Sequence, residues 1–270
     1  MTEIQGYNFR QNQGSVITCV SLHEGIDDMV AMGTASGDVT VFCLPGMISV
    51  QKKQIQKFDV QGIHHHYITC LAWSTNGMKL FSGDKKGQVV VAEIDFYQGV
   101  SKSCSLLIEP LTEITQIDYQ NRVLLVSTRH RSFVVRLDQN SQVAQIGSQE
   151  RKILGSFGAC FVPELCKPSD LKLYASRPGC RLWQADVEGN VKNTHIFKDP
   201  LSAGVPEIPL LTAGKLPLQQ DDFQFGQLLW LQSNVLVTWT HSALVILDPL
   251  NNSSVLPYLQ YDDRCRIDLD

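Results

Sequence analysis

Short apolar runs, each about the length of a β-strand, alternate with polar turns along most of the chain. In the clearest copy of this pattern, residues 68–73, 78–83 and 88–94 form three apolar runs joined by two glycine-containing turns. A weaker apolar run follows at 104–108. Runs of about four to eight residues bounded by glycine and polar residues predict strands, and no stretch has sustained helical periodicity. The sequence therefore predicts an all-β chain.

The same unit occurs five times, at intervals of roughly 40 to 50 residues with one longer interval. The other four triplets of runs are 17–22, 29–34 and 39–44; 114–119, 123–128 and 132–137; 157–162, 171–176 and 180–186; and 228–231, 235–240 and 244–248. Weak edge runs lie at 54–60, 143–146, 191–197 and 255–259. Four antiparallel strands per unit, with small residues ending the second strand, are typical of a WD40-like blade. The predicted fold is a WD40-like β-propeller of about five four-stranded blades, an incomplete seven-blade ring.

This pattern divides the chain into three parts. Residues 14–261 contain the five blades, together with an insertion at 199–225 whose four prolines disfavour regular structure. Residues 1–13 are interpreted as a remnant outer strand of a missing blade, and residues 262–270 as a truncated tail. We expect the chain to be a fragment of a longer protein, because an unclosed ring leaves two blades without a neighbour.

Composition narrows the class of protein. Of the 270 residues 43% are hydrophobic, which is enough for a substantial core, and the net charge of −4 gives no overall attraction to nucleic acid. No stretch has the roughly 18 uninterrupted apolar residues of a membrane helix, and the first residues do not resemble a signal peptide. The eight cysteines are scattered without a CxxC pair, as expected for reduced thiols. These features predict a cytoplasmic protein without an integral membrane segment or a nucleic-acid partner.

No pattern in the chain predicts a catalytic, cofactor-binding or metal site. The three consecutive histidines His64, His65 and His66 invite a metal interpretation, but adjacent side chains on an extended chain point in alternating directions. Their position before an inner strand favours a structural role instead, with one histidine bonded to Ser82. The sequence has no GxSxG, HExxH, Walker or strand-linked GxGxxG motif. We therefore expect no enzyme, no cofactor and no small-molecule substrate.

The turns carry the most informative polar residues. In a propeller of this kind the turns between second and third strands lie on one face, and those here are rich in basic side chains: Lys85, Lys86, Arg129, Arg131 and Arg177. The opposite turns are mainly acidic: Glu24, Asp27, Asp28, Asp95, Asp138, Glu164, Asp170, Asp186, Glu188 and Asp248. Two interpretations remain open. The basic turns are ordinary solvated loops, or they form a surface on which an acidic segment of a protein partner docks.

Three segments carry a resemblance to a known family. Residues 58–84, 123–128 and 157–183, the last with the pattern FGACF…RPG…W, resemble the amino-terminal propeller of the tectonin β-propeller repeat-containing protein 2 family. More distantly they are similar to the Hermansky-Pudlak syndrome 5 protein family. The first resemblance implies a cytosolic scaffold in autophagy and early secretory trafficking, peripheral on endomembranes, with Atg8-family and coat-protein partners. The second implies a subunit of a lysosome-related-organelle complex, and neither implies an enzyme.

Two groups of large apolar residues have competing interpretations. Phe225 and Leu228 have the spacing of an Atg8-binding strand and follow acidic residues, but Phe225 abuts an inner strand, which favours a core position. The four tryptophans lie inside apolar runs and are predicted to be core residues rather than an exposed recognition platform: Trp73, Trp183, Trp230 and Trp239. A propeller that only connects domains, with no ligand of its own, is a further alternative.

Overall fold

In a computed structural model of the chain, the described residues form five sheets, each containing four antiparallel strands and corresponding to one predicted blade. The structure describes residues 15–23, 29–43, 56–60, 64–95, 100–138, 142–164, 166–198, 204, 206–208, 224–232, 234–239, 243–251 and 253–260. The predicted remnant strand at 1–13, the tail at 262–270 and most of the insertion at 199–225 lie outside these residues. The division into those parts therefore stays a prediction.

The strands follow the predicted runs closely. Blade 1 consists of β1 (Ile17–His23), β2 (Met29–Thr34), β3 (Val39–Cys43) and β4 (Gln56–Val60), and blade 2 of β5 (Ile68–Trp73), β6 (Lys79–Asp84), β7 (Val89–Asp95) and β8 (Val100–Ile108). Blade 3 consists of β9 (Ile114–Gln120), β10 (Val123–Thr128), β11 (Ser132–Arg136) and β12 (Val143–Gln145), and blade 4 of β13 (Ala159–Phe161), β14 (Leu173–Arg177), β15 (Arg181–Ala185) and β16 (Val191–Ile196). Blade 5 consists of β18 (Gln227–Gln232), β19 (Val235–Trp239), β20 (Ala243–Asp248) and β21 (Ser254–Gln260), preceded in the chain by β17 (Glu207–Ile208). The four strands of each blade pair in chain order.

Side chains that alternate between the two faces of a middle strand pack against the blades on either side. In β6, Leu80 packs into the cluster shared with blade 1, whereas the adjacent Phe81 packs into the cluster shared with blade 3. Both side chains are fully buried. Because successive residues of a strand point to opposite faces, an uninterrupted apolar run on a middle strand serves two blade interfaces at once. Burial of a side chain of this size contributes roughly 1.5 to 3 kcal/mol.

Glycine at the end of the second strand sets the distance between blades. A Cβ atom added to Gly33 of β2 would lie 2.6 Å from Ile68 Cγ2, the first residue of the next inner strand. One added to Gly83 of β6 would lie 2.7 Å from Ile114 Cγ2 in the equivalent place. The small residues that identify the repeat in the sequence therefore leave room for the isoleucine of the following blade.

Two details differ from the sequence prediction. The insertion was expected to lack regular structure, but Glu207 and Ile208 form a short strand that pairs in parallel with the outer strand β21. An outer strand presents unpaired backbone groups, and these accept even a two-residue segment of the insertion. The predicted first residue of the fourth inner strand, Phe157, is buried but lies two residues before β13.

The tryptophans and cysteines agree with the predicted core only in part. Trp73 and Trp230 are buried, whereas Trp183 and Trp239 are half-buried. The seven cysteines in the described part of the chain form no disulfide bond with one another, and two of them, Cys43 and Cys160, are buried. Burial raises the pKa of Cys160 well above its ordinary value, and the nearby Asp118 raises it further. A thiol of this kind is protonated and unreactive.

Candidate functional site

His64 is part of a buried network that supports the first basic turn. Its Nδ1 lies 2.9 Å from Asp84 Oδ2 and its Nε2 lies 2.8 Å from Ser82 Oγ. A carboxylate only accepts hydrogen bonds, so Nδ1 is the donor to Asp84. The structural interpretation of His64 is therefore confirmed, with Asp84 as an additional partner that the sequence did not point to. His65 and His66 are exposed.

Asp84 holds the turn that carries Lys85 and Lys86. Its Oδ1 accepts hydrogen bonds from the backbone N–H groups of Lys86, Gly87 and Gln88 at 2.8 to 2.9 Å. Asp84 is fully buried, whereas both lysines are exposed. Lys85 Nζ lies 5.9 Å from the centre of the Tyr67 ring, and among the described residues neither lysine has a carboxylate within ion-pair distance. The turn therefore presents two positive charges to solvent from a rigid base.

The next basic turn, in blade 3, is largely neutralised. Arg129 Nη1 lies 3.3 Å from Glu113 Oε2, and Arg131 Nη2 lies 2.6 Å from Glu150 Oε1. Both glutamates belong to the segments that connect blade 3 to its neighbours. Arg131 also donates to the side chain of Gln145. The two arginines are thus ion-paired with glutamates of the same chain rather than left free for a partner.

Arg177, in blade 4, is held by an aromatic ring. Its guanidinium carbon lies 3.9 Å from the centre of the Trp183 ring, and Nη2 donates to the carbonyl oxygen of Glu150 at 3.0 Å. Partial burial lowers the pKa of Arg177 below its ordinary value. The half-buried Trp183 therefore fits neither earlier interpretation: it is not fully in the core, and the guanidinium of Arg177 covers the ring face that a recognition platform would expose.

A buried arginine that the sequence analysis missed links the turns of blades 3 and 4. Arg151 is only 4% exposed and donates to Thr128 O at 2.7 Å, Ser132 Oγ at 2.7 Å and Ser176 O at 3.2 Å. Its guanidinium also lies 5.1 Å from the centre of the Phe157 ring. Burial and, to a smaller extent, the nearby Arg177 lower its pKa to about 9. A lone arginine in a connecting segment gives no local signal for such a role.

The structure brings the predicted basic residues into two groups. Arg131 and Arg177 both contact Glu150 at the junction of blades 3 and 4, whereas Lys85 and Lys86 lie on the turn of blade 2 and Arg129 pairs with Glu113 in the connection between them. Gly87, with φ of +96°, lets this turn pack directly on the backbone of Leu111 and Thr112 in the next connection. The predicted turn of blade 5, residues 240–242, lies outside the described residues.

The opposite turns contain acidic residues that are also paired. Glu164 lies 3.3 Å from Lys172 and Asp186 lies 2.7 Å from Lys192, while Arg136 pairs with Glu188. Partial burial alone would raise the pKa of Asp186, but hydrogen bonds from Lys192 and Asn190 lower it below its ordinary value. The acidic residues predicted at 24, 27 and 28 lie outside the described residues.

A central cavity of about 580 Å³ lies where the inner strands of the five blades meet. Gln116 of blade 3 reaches across it to blade 5, where its Nε2 donates to Leu228 O at 2.6 Å and its Oε1 accepts from Leu228 N–H at 3.0 Å. Asp118 lines the same cavity and accepts from Phe161 N–H at 2.7 Å. Burial raises the pKa of Asp118. The side chains of Gln116 and Asp118 thus bond to backbone groups of other blades and do not point together toward one ligand position in the cavity.

The alternative peptide motif is buried. Phe225 and Leu228 are almost completely inaccessible, and the ring centres of Phe225 and Phe197 lie 5.4 Å apart. This pair joins the two ends of the insertion to the core between blades 4 and 5. The core interpretation of this motif is therefore confirmed.

Other classes of site find no support in the described part of the chain. The described residues contain no group of three His, Cys, Asp or Glu side chains arranged to hold a metal ion. Within the described residues no helix is long and apolar enough to cross a membrane.

Comparison with known sequences agrees with the resemblance. The chain is 45% identical, over 94% of its length, to the human protein "Tectonin beta-propeller repeat-containing protein 2", and 39% identical over 72% of its length to the Drosophila melanogaster "WD repeat-containing protein CG11141". It is 30% identical over 90% of its length to human "BLOC-2 complex member HPS5". These matches cover 18%, 29% and 22% of the relatives, so the chain spans less than a third of their lengths. No family model matches the chain.

Comparison with solved structures supports the fold. Saccharomyces cerevisiae Sqt1 superimposes on 90% of the chain with a TM-score of 0.60 and 12% identity, and the match covers 62% of that structure. The WD40 β-propeller domain of Doa1 superimposes on 92% of the chain with the same TM-score and 11% identity, covering 70% of that structure. The chain is therefore an all-β WD40-like propeller of five four-stranded blades, similar over nearly its whole length to Tectonin beta-propeller repeat-containing protein 2 and more distantly to BLOC-2 complex member HPS5.

Proposed function

We propose that the chain is a non-enzymatic protein-interaction scaffold in autophagy and endomembrane trafficking, and that its basic turns recruit an acidic segment of a partner protein. The cellular setting rests on the similarity to Tectonin beta-propeller repeat-containing protein 2. Such a scaffold would be cytoplasmic and peripheral on endomembranes. The observation that carries the binding mode is the turn of blade 2, where Lys85 and Lys86 project from a buried Asp84.

The five basic residues would contribute unequally. An exposed charge without a partner attracts an acidic ligand over about a Debye length, roughly 8 to 10 Å at physiological salt. Arg129 and Arg131 already face Glu113 and Glu150, so much of their field is cancelled locally. Lys85 and Lys86 therefore supply most of the electrostatic attraction, with Arg177 limited by its stacking on Trp183.

The test is capture of partner proteins by the chain across a salt series. Reversal of all five charges (Lys85, Lys86, Arg129, Arg131 and Arg177 to Glu) should slow association steeply, and the difference from the unmodified chain should shrink as salt rises. The double variant Lys85→Glu/Lys86→Glu should account for most of this loss. As a matched control, reversal of the exposed Lys167 and Lys172 on the opposite turns should have little effect. Equal capture by all variants would leave the basic turns as ordinary solvated loops.

The second candidate is a subunit of a lysosome-related-organelle complex. It is favoured by the similarity to HPS5, whose name identifies it as a member of BLOC-2. A subunit and a transient scaffold differ in how tightly they are bound, since obligate interfaces are large and apolar. Copurification of a stoichiometric complex that survives high salt would favour the subunit, whereas loss of partners with rising salt would favour the scaffold.

A further inference from the structure

We propose that the cleft between the connection of blades 2 and 3 and the hairpin turn of blade 3 anchors one large apolar side chain of the acidic partner segment. The proposal rests on the proposed function, because it names a specific contact within the same face. The cleft has a volume of about 400 Å³, which lies in the range of ligand pockets. Its apolar lining comes from Pro110, Leu111 and Phe133, and its polar rim includes His130 and Arg131.

Leu111 is the most unusual residue of the cleft. It is 76% exposed and has φ of +58°, in the left-handed region that leucine rarely adopts. A large apolar side chain gains nothing in folding stability from such exposure, and its backbone conformation is itself unfavourable. Residues that combine strain with exposure cluster at binding sites, where the surrounding structure holds them in place. Here Gly87 packs on the backbone of Leu111 and fixes the connection.

Lys85 and Lys86, which have no ion pair among the described residues, lie on the turn that borders this cleft. The turn with Lys85 and Lys86 contacts the backbone of Leu111 and Thr112 through Gly87. On the far side the charges of Arg131 and Glu150 cancel, since the two groups are 2.6 Å apart. The partner segment is therefore expected to place its apolar side chain in the cleft and its acidic residues toward the lysines, away from Glu150.

Exposed apolar side chains also lie in the neighbouring connections. Tyr67, before the inner strand of blade 2, is 37% exposed, and Ile153 and Leu154, before that of blade 4, are about half exposed. At Leu111 the exposed apolar side chain borders a cleft, and a concave site removes more of a bound side chain from water than a flat surface does. Concavity also favours a peptide over a lipid surface, which is flat on this scale.

The variant Leu111→Gly tests the anchor without loss of the fold. Glycine adopts a positive φ at no steric cost, so the variant should be at least as stable as the unmodified chain while lacking one wall of the cleft. Leu250→Gly is the matched control, since Leu250 is an exposed loop leucine on the opposite turns, 56% exposed. The probe is a displayed library of random linear peptides, selected on the 270-residue chain.

We expect the recovered peptides to combine acidic residues with one large apolar residue. Their affinity should fall about tenfold when that residue is replaced by serine or when the chain carries Leu111→Gly, and should be unchanged with Leu250→Gly. Acidic peptides that lack the apolar residue, or that bind Leu111→Gly equally well, would overturn the anchor and leave the proposed function intact. Recovery of no acidic peptides would overturn both. Binding to phosphatidylserine vesicles but not to peptides would replace the peptide partner with a membrane surface.

Discussion

Replacement of Asp84 by alanine is expected to destabilise the protein strongly. The carboxylate is fully buried, accepts three backbone N–H groups of its own turn through Oδ1, and accepts His64 Nδ1–H at 2.9 Å through Oδ2. The alanine variant leaves the N–H groups of Lys86 and Gln88 and the His64 imidazole without this acceptor, while Gly87 N–H keeps the backbone carbonyl oxygen of residue 84 at 3.2 Å. Each buried donor that loses its acceptor costs about 1 to 3 kcal/mol, so the variant should lose roughly 3 kcal/mol or more. This is a large fraction of the roughly 5 to 15 kcal/mol that stabilises a typical domain.

The assay is urea unfolding of the unmodified chain and of the variant. Asp186→Ala is the control, since Asp186 accepts the N–H groups of Glu188 and Asn190 in a similar turn but is partly exposed and pairs with Lys192 rather than with a histidine. The control should lose only about 1 kcal/mol. A loss below about 1 kcal/mol for Asp84→Ala, or losses that are equal at the two sites, would refute the assignment of the buried network as the support of the lysine turn.

Three further predictions concern other parts of the chain. Arg151→Met should cost about 2 kcal/mol in urea unfolding, because two buried carbonyl oxygens and Ser132 lose their donor; an unchanged midpoint would contradict this role. Burial lowers the pKa of His195, so this histidine binds a proton more readily in the unfolded chain than in the folded one. The stability that it contributes above about pH 6.5 should therefore be lost as the pH falls below that value. The variant His195→Gln should reduce this pH dependence when urea unfolding is compared at about pH 7.5 and 5.5. Val20 and Leu22 are 37% and 40% exposed, and they alternate along β1 with residues that contact blade 2. Because exposed apolar side chains promote association between chains, the substitutions Val20→Thr and Leu22→Thr should lower aggregation, measured by light scattering, with little change in melting temperature. If the variants aggregate as much as the unmodified chain, Val20 and Leu22 are not part of the surface through which chains associate.

The blades could be predicted because their signals are local. A strand-length apolar run and a glycine before the turn are readable within one unit, and the glycines at 33 and 83 have the predicted positions because the next isoleucine packs on them. The histidine that precedes an inner strand, His64, was predictable for the same reason, since its partner Ser82 lies in the same blade.

The electrostatics of the candidate face could not be predicted in the same way. Four of the five basic residues lie in turns as predicted, and Arg177 is instead the last residue of β14, but the partners of Arg129 and Arg131 come from connecting segments whose path the repeat does not determine. Similarly, Gln116 reaches Leu228 in another blade, more than a hundred positions away in the chain. Contacts of this kind depend on how the blades pack, and a single sequence carries no local sign of them.

Proximity labelling in cells tests the central claim most directly. The chain is fused to a biotin ligase and compared with the variant Lys85→Glu/Lys86→Glu and with the control Lys167→Glu/Lys172→Glu. We predict that the unmodified chain and the control label the same set of autophagy and endomembrane trafficking proteins, and that the Lys85/Lys86 variant loses them because the attraction to their acidic segments is reversed. An identical set of labelled proteins for all three chains, or a set without trafficking proteins, would contradict the account.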